Sequence, residues 1–126
     1  MRRTIDETLA AARARLRRLT PAEAALAIGD GATLIDTRDG DVRAREGRIP
    51  GAVHAPLSVL EWRVDPDSGH QNPALAGKED RLILICREGY SSSLAAIRLH
   101  DLGFVNTTDV IGGFAAWVAA GLPVER

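Results

Sequence analysis

The feature that most constrains this chain is the unbroken apolar run Leu82-Ile83-Leu84-Ile85-Cys86, which stops at a glycine- and serine-bearing turn before a helical pattern begins. A short run without polar alternation predicts a strand covered on both faces, the situation of a parallel sheet between layers of helices. Thr33–Asp36 (TLID) predicts a second buried strand ending in an acid. Ala52–His54 predicts a short one between Pro50 and Pro56, and Thr108–Ile111 the last. Helical signals fill the gaps. Thr20-Pro21-Ala22-Glu23 is a capping box with proline at the first helical position, for a helix running to Ile28 before the Gly29-Asp30-Gly31 turn. Residues 41–46 predict a charged helix stopped by Gly47. Ser91–Leu102 predicts a helix with Ala95, Leu99 and Leu102 on its buried side and Gly103 as C-cap, and Phe114–Ala120 a helix after Gly112-Gly113. Strands alternating with helices through short turns predict one α/β domain with a mainly parallel sheet and helices on both faces.

Outside that alternation lie two segments. Ile5, Leu9, Ala12, Leu16 and Leu19 recur at helical spacing and predict an amphipathic N-terminal helix, with Arg13, Arg15, Arg17 and Arg18 on its solvated side. This stripe folds onto its own domain or, as a homodimer, against a second copy. Residues 65–80, dense in turn residues and without periodicity, predict a surface loop. The formal net charge of −1 and 4% aromatic content supply neither a field nor a stacking platform for nucleic acid. No stretch approaches the roughly 20 apolar residues that cross a membrane, and early acids argue against a leader. A cytoplasmic setting, with the thiol reduced, is the expectation. The one cysteine pairs with nothing in the chain, and His54, His70 and His100 are scattered, so no metal site is expected.

Cys86 itself stands at the carboxyl end of a predicted strand, where ligands of open α/β sheets gather. The helix opening at Ser91 offers free amides and the positive end of its dipole, and Arg87 adds a cation. Such surroundings favour the thiolate, the nucleophilic form. The run Arg87-Glu88-Gly89-Tyr90-Ser91 can curl round the sulfur as an amide-lined cup for an anion. The competing reading is a buried cysteine that merely ends a strand.

Four separated segments resemble, in order, those of the rhodanese-like sulfurtransferase family. They are LIDTR (Leu34–Arg38), GRIPGAVHAP (Gly47–Pro56), LILICREGYSS with its loop, and the closing VIGGFAAWVAAGLPV (Val110–Val124). The resemblance covers residues 19–126 and leaves residues 1–18 as a helical extension. It implies a rhodanese-like fold, an α/β sheet of about five strands. It also implies a sulfurtransferase without metal or organic cofactor. Cys86 would take a sulfane sulfur from an anionic donor such as thiosulfate, become a persulfide, and pass the sulfur to cyanide, a thiol or a protein. Residues Arg87, Glu88, Gly89, Tyr90, Ser91 and Ser92 would bind the substrate, with Arg87 placing a sulfonate-like group. Asp36 and Arg38 would buttress the site, and Arg63 is a further cation if its segment returns to the loop.

Two departures bear on substrate. Ser91 stands where many members end the loop with arginine, and Glu88 puts a negative charge where thiosulfate-using members can carry a basic residue. A phosphatase or arsenate reductase would need a loop closed by an arginine gripping three oxygens, where this chain has Ser91 and Ser92. A persulfide-carrying, regulatory or protein-binding module without turnover is the remaining alternative.

Overall fold

The computed structural model describes residues 1–126. Four parallel strands form its sheet: β1 (Thr33–Asp36), β2 (Val53–His54), β3 (Leu82–Ile85) and β4 (Thr107–Asp109), in the order β2-β1-β3-β4. The register sets Ile35 beside Val53 on one side and Leu84 on the other, with Leu84 beside Asp109. The helices are α1 (Ile5–Ala14), α2 (Pro21–Gly29), α3 (Gly40–Glu46), α4 (Leu60–Val64), α5 (Ser91–Asp101) and α6 (Gly113–Ala119).

The aliphatic run of β3 explains the layering. All four of its residues are buried, and successive side chains leave opposite faces of the sheet. Leu82 and Leu84 enter a core with Ile35, Leu60, Val64, Ala96 and Leu99 under α4 and α5. Ile83 and Ile85 enter a second core with Leu34, Val110, Phe114 and Trp117 under α2 and α6. Helices therefore cover both faces.

The strand count is four, against an expectation of about five. Leu19 makes a single parallel bridge to Val110, its N–H bonded to the Asp109 carbonyl and its carbonyl to the Ile111 N–H. Extension stops there because Thr20 caps α2 and Pro21 starts it. The loop expected over residues 65–80 carries one short 3-10 turn, Pro73–Leu75, whose Leu75 is wholly buried beneath α4 and α5. No helix is long and apolar enough to cross a membrane.

At the N-terminus, α1 begins with a complete capping box of Thr4 and Glu7 and lies on α5, burying Leu9 and Ala12 while Ile5 stays exposed. The helix ends at Ala14, so the residues after it leave the helical wheel. Arg13 and Arg18 do not join the solvated side expected of them; both turn inward.

Beneath the sheet's carboxyl end, Asp36 is fully buried and accepts a forked pair of bonds from Arg38, at 3.1 and 2.8 Å, and another from Arg43 at 3.1 Å. Arg38 also donates to the Gly47 carbonyl. Its remaining Nη1 makes no hydrogen bond, but it lies 3.6 Å from Glu46 Oε1, and the guanidinium is 3.6 Å from the centroid of the Phe114 ring, a cation–π contact; together these offset part of that cost. Asp36→Ala strands two guanidinium groups beside the core. We expect it to cost about 3–5 kcal/mol of unfolding free energy, measured by urea denaturation.

Candidate active site

Cys86 follows directly on β3 and is 6% exposed. The chain then turns through Arg87–Tyr90 into α5. Gly89 makes the turn possible, with φ of +86° and its N–H 3.1 Å from the sulfur. Ser92, on the first turn of α5, places its Oγ 3.2 Å from the sulfur and 2.7 Å from Oδ2 of Asp109.

Four carbonyls of the turn, those of Cys86, Arg87, Gly89 and Tyr90, are hydrogen-bonded. The Cys86 carbonyl accepts from the Phe114 N–H at 2.8 Å, and that of Arg87 from the Ala115 N–H at 3.0 Å, both at the start of α6. The Gly89 carbonyl accepts from Arg13 at 2.8 Å and Arg18 at 3.0 Å, and that of Tyr90 from the Ser93 N–H. In a trans peptide the C=O and the following N–H point in opposite directions. Pinning four carbonyls outward therefore turns the amides of Arg87, Glu88, Tyr90 and Ser91 the other way, and none of these amides donates to an acceptor within the chain. An array of free donors beside a sulfur atom is a nest for an anion.

The Gly112-Gly113 turn lets α6 come so close. A Cβ on Gly113 would stand 2.5 Å from the Cys86 carbonyl oxygen and 2.7 Å from the Gly89 nitrogen. Both glycines have positive φ.

Electrostatics at the sulfur are a contest. Burial pushes the thiol's pKa up and is the largest single influence. Hydrogen bonds from the Ser92 and Ser91 hydroxyls and from the Ser92 and Gly89 amides together outweigh it, so the net shift is downward. Ser92 has one proton to give. With Cys86 a thiol, the S–H donates to Ser92 and Ser92 donates to Asp109. With Cys86 a thiolate, the Ser92 hydroxyl turns to the sulfur. Asp109, completely buried, then keeps its bonds from Ser93 at 2.8 Å and Arg18 Nε at 2.8 Å.

The sequence-predicted residues divide. Cys86, Gly89, Ser91 and Ser92 meet at the sulfur. Glu88 lies on the loop, more than half exposed, 3.7 Å from the Arg87 guanidinium. Arg87 spends its donors on Glu46 at the end of α3, at 2.8 and 2.9 Å, and that contact holds the Glu46 carboxyl below the usual range. This placement differs from the one expected of an anion-gripping side chain: Arg87 is the nearest cation in sequence, but the Glu46 carboxylate, itself 3.6 Å from Arg38 Nη1, competes for it. Tyr90 is 62% exposed and stacks against Arg13 rather than walling the sulfur. Arg63 donates to the His70 carbonyl and does not return to the loop. Asp36 and Arg38 lie under the site as a buried pair. No group of three or more His, Cys, Asp or Glu side chains is arranged to hold a metal ion.

Three participants escaped the sequence reading. Asp109 had a signal, since it is an acid at the carboxyl end of a buried strand, as Asp36 is. Arg13 falls on the helix face that periodicity gives to solvent, and Arg18 lies beyond the helix, where periodicity carries no information.

Comparison with known proteins agrees with the geometry. The rhodanese-like domain family matches residues 20–120. Thiosulfate sulfurtransferase GlpE of Actinobacillus succinogenes is 35% identical over 97 residues, covering 76% of this chain and 78% of the relative. The adenylyltransferase and sulfurtransferase uba4 of Ogataea parapolymorpha is 35% identical over 81 residues, and there the match spans only 19% of the longer protein. The solved structure of a protein of unknown function from Rhodopseudomonas palustris, described as a possible tyrosine phosphatase, superposes with a TM-score of 0.88 at 30% identity. It covers 99% of this chain and 96% of the other, the N-terminal extension included. The chain belongs to the rhodanese-like family.

The balance at the sulfur gives a prediction. Cys86 is the sole cysteine, so alkylation by iodoacetamide reports on it alone. The rate should rise with a midpoint below that of the urea-unfolded chain. Ser92→Ala removes the hydroxyl that meets the thiolate and should move the midpoint upward, toward the ordinary thiol value of about 8.5.

Proposed function

We propose that this rhodanese-like protein is a sulfurtransferase that carries a sulfane sulfur on Cys86. The observation that supports this most is the set of unpaired loop amides around a buried sulfur with a lowered pKa. The thiolate attacks the outer sulfur of thiosulfate. A Cys86 S–S bond forms as the donor's S–S bond breaks, and sulfite leaves with the electron pair. The terminal persulfide sulfur is anionic, and the amides of Arg87–Ser92 suit its charge and that of the departing sulfite. A thiophilic acceptor such as cyanide, a thiol or a protein thiol then attacks the outer sulfur and restores the thiolate. No redox partner is required.

Arg87 is engaged with Glu46, and Glu88 sits beside it, so donor binding rests on main-chain donors rather than on a cationic grip. That suits small anionic sulfane-sulfur donors as a class. Phosphate-ester hydrolysis fits less well. The position that would carry a phosphate-gripping arginine is Ser92, whose hydroxyl lies between the sulfur and Asp109, and Arg13 and Arg18 hold the outside of the loop.

Incubation with thiosulfate should add one sulfur atom to the intact mass of the wild type and none to Cys86→Ala. Cyanide should then remove it as thiocyanate. Loading without thiocyanate release would leave a carrier; no loading from any sulfane donor, or hydrolysis of p-nitrophenyl phosphate instead, would contradict the proposal.

A further inference from the structure

The N-terminal extension adds two guanidinium groups to a site otherwise built from the sheet, α5 and α6. Arg13 donates through Nη2 to the Gly89 carbonyl at 2.8 Å and through Nε to Ser93 Oγ at 3.2 Å. Its guanidinium also faces the Tyr90 ring at 5.5 Å. Arg18 donates to the same carbonyl at 3.0 Å and grips Asp109 with Nε at 2.8 Å and Nη2 at 3.2 Å. Two cations thus converge on one loop carbonyl, and one of them, Arg18, also pairs with the carboxylate that shares the Ser92 proton.

From this geometry we infer that Arg13 and Arg18 are positioning residues for sulfur transfer, aiming the Tyr90 amide at the sulfur site and releasing the Ser92 hydroxyl to the thiolate. The inference rests on the reading of Cys86 as the sulfur carrier and deepens it.

Two physical consequences follow from the contacts. The α6 amides hold the first two loop peptides, but nothing from the rhodanese-like domain itself bonds the Gly89 carbonyl. The extension supplies that contact, and peptide planarity then directs the Tyr90 N–H inward. Second, Asp109 is a wholly buried anion one hydroxyl away from the sulfur. Paired with Arg18, it tolerates a second negative charge nearby and yields the Ser92 proton. Unpaired, it would hold that proton and repel the thiolate.

The charged groups around Cys86 are few. Asp109 on β4 approaches through Ser92, and Arg13 and Arg18 approach from the extension. The Arg87–Glu46 pair and Glu88 lie on the outer side of the loop, and Arg38 lies under Phe114. Only Arg18 neutralises Asp109.

The test is the pH profile of Cys86 alkylation by iodoacetamide in the full-length chain, with folding checked by thermal melting. Arg18→Met should raise the midpoint by about one unit. Arg18→Lys keeps the charge without the fork and should fall between that variant and the wild type. Arg13→Met keeps Asp109 paired, so it should slow sulfur loading from thiosulfate several-fold with a smaller shift in midpoint. A purely structural role would lower the melting temperature and leave the midpoints alone. Unchanged profiles in folded Arg18→Met and Arg13→Met overturn the inference. If Arg18→Met does not fold, an unshifted Arg18→Lys together with unslowed loading in Arg13→Met does so. Alkylation needs no sulfur donor, so failure of sulfur transfer as a function would show separately, as a wild type that never loads.

Discussion

The outward fastening of the loop's carbonyls is the constraint on which the site depends. A five-residue turn of free backbone would satisfy its amides with water or with its own carbonyls, and the sulfur at its centre would be an ordinary buried thiol. Here the start of α6 takes the carbonyls of Cys86 and Arg87, Ser93 takes that of Tyr90, and two arginines take that of Gly89. The amides opposite those carbonyls remain as donors. Preorganised donors of this kind need no reorientation when negative charge arrives, which is why main-chain nests stabilise anions effectively.

The rest of the architecture serves that fastening. The apolar alternation of β3 fixes the height of Cys86 at the sheet's carboxyl end, with one core below each face. Gly113 has no Cβ because the Cys86 carbonyl occupies its place. The Asp36–Arg38 pair reaches neither the sulfur nor the loop amides. It anchors the end of β1 to Gly47 and, through the face of Phe114, to the helix that holds the loop. Charge on the loop's outer side is self-compensating: Arg87 meets Glu46 and Glu88. Such exposed pairs contribute little to stability, but they settle where the side chains point.

Much of this was legible in the residues. Aliphatic runs, capping boxes and glycine turns located nearly every element to within a residue or two, because each reports a local preference. The position of Cys86 at the end of β3 was legible because strand-to-helix turns are recognisable in one dimension. What escaped was long-range. Leu75 looked like one more residue of a polar loop, and its burial depends on where α4 and α5 leave a gap. Arg87 looked like a substrate cation until Glu46, forty-one residues away, claimed it. Arg13 and Arg18 looked solvated because an amphipathic stripe assigns the arginines to water. The stripe is silent about which neighbouring carbonyl offers a better partner. The fifth strand shrank to the Leu19 bridge for a local reason, the proline two residues on.

A wild-type crystal soaked in thiosulfate bears most directly on the central claim. The account predicts extra density for one sulfur bonded to the Cys86 Sγ, within hydrogen-bonding distance of at least two of the amides of Arg87, Glu88, Tyr90 and Ser91. A persulfide turned away from those amides, or a sulfur that stays unmodified while thiosulfate sits elsewhere, would contradict it.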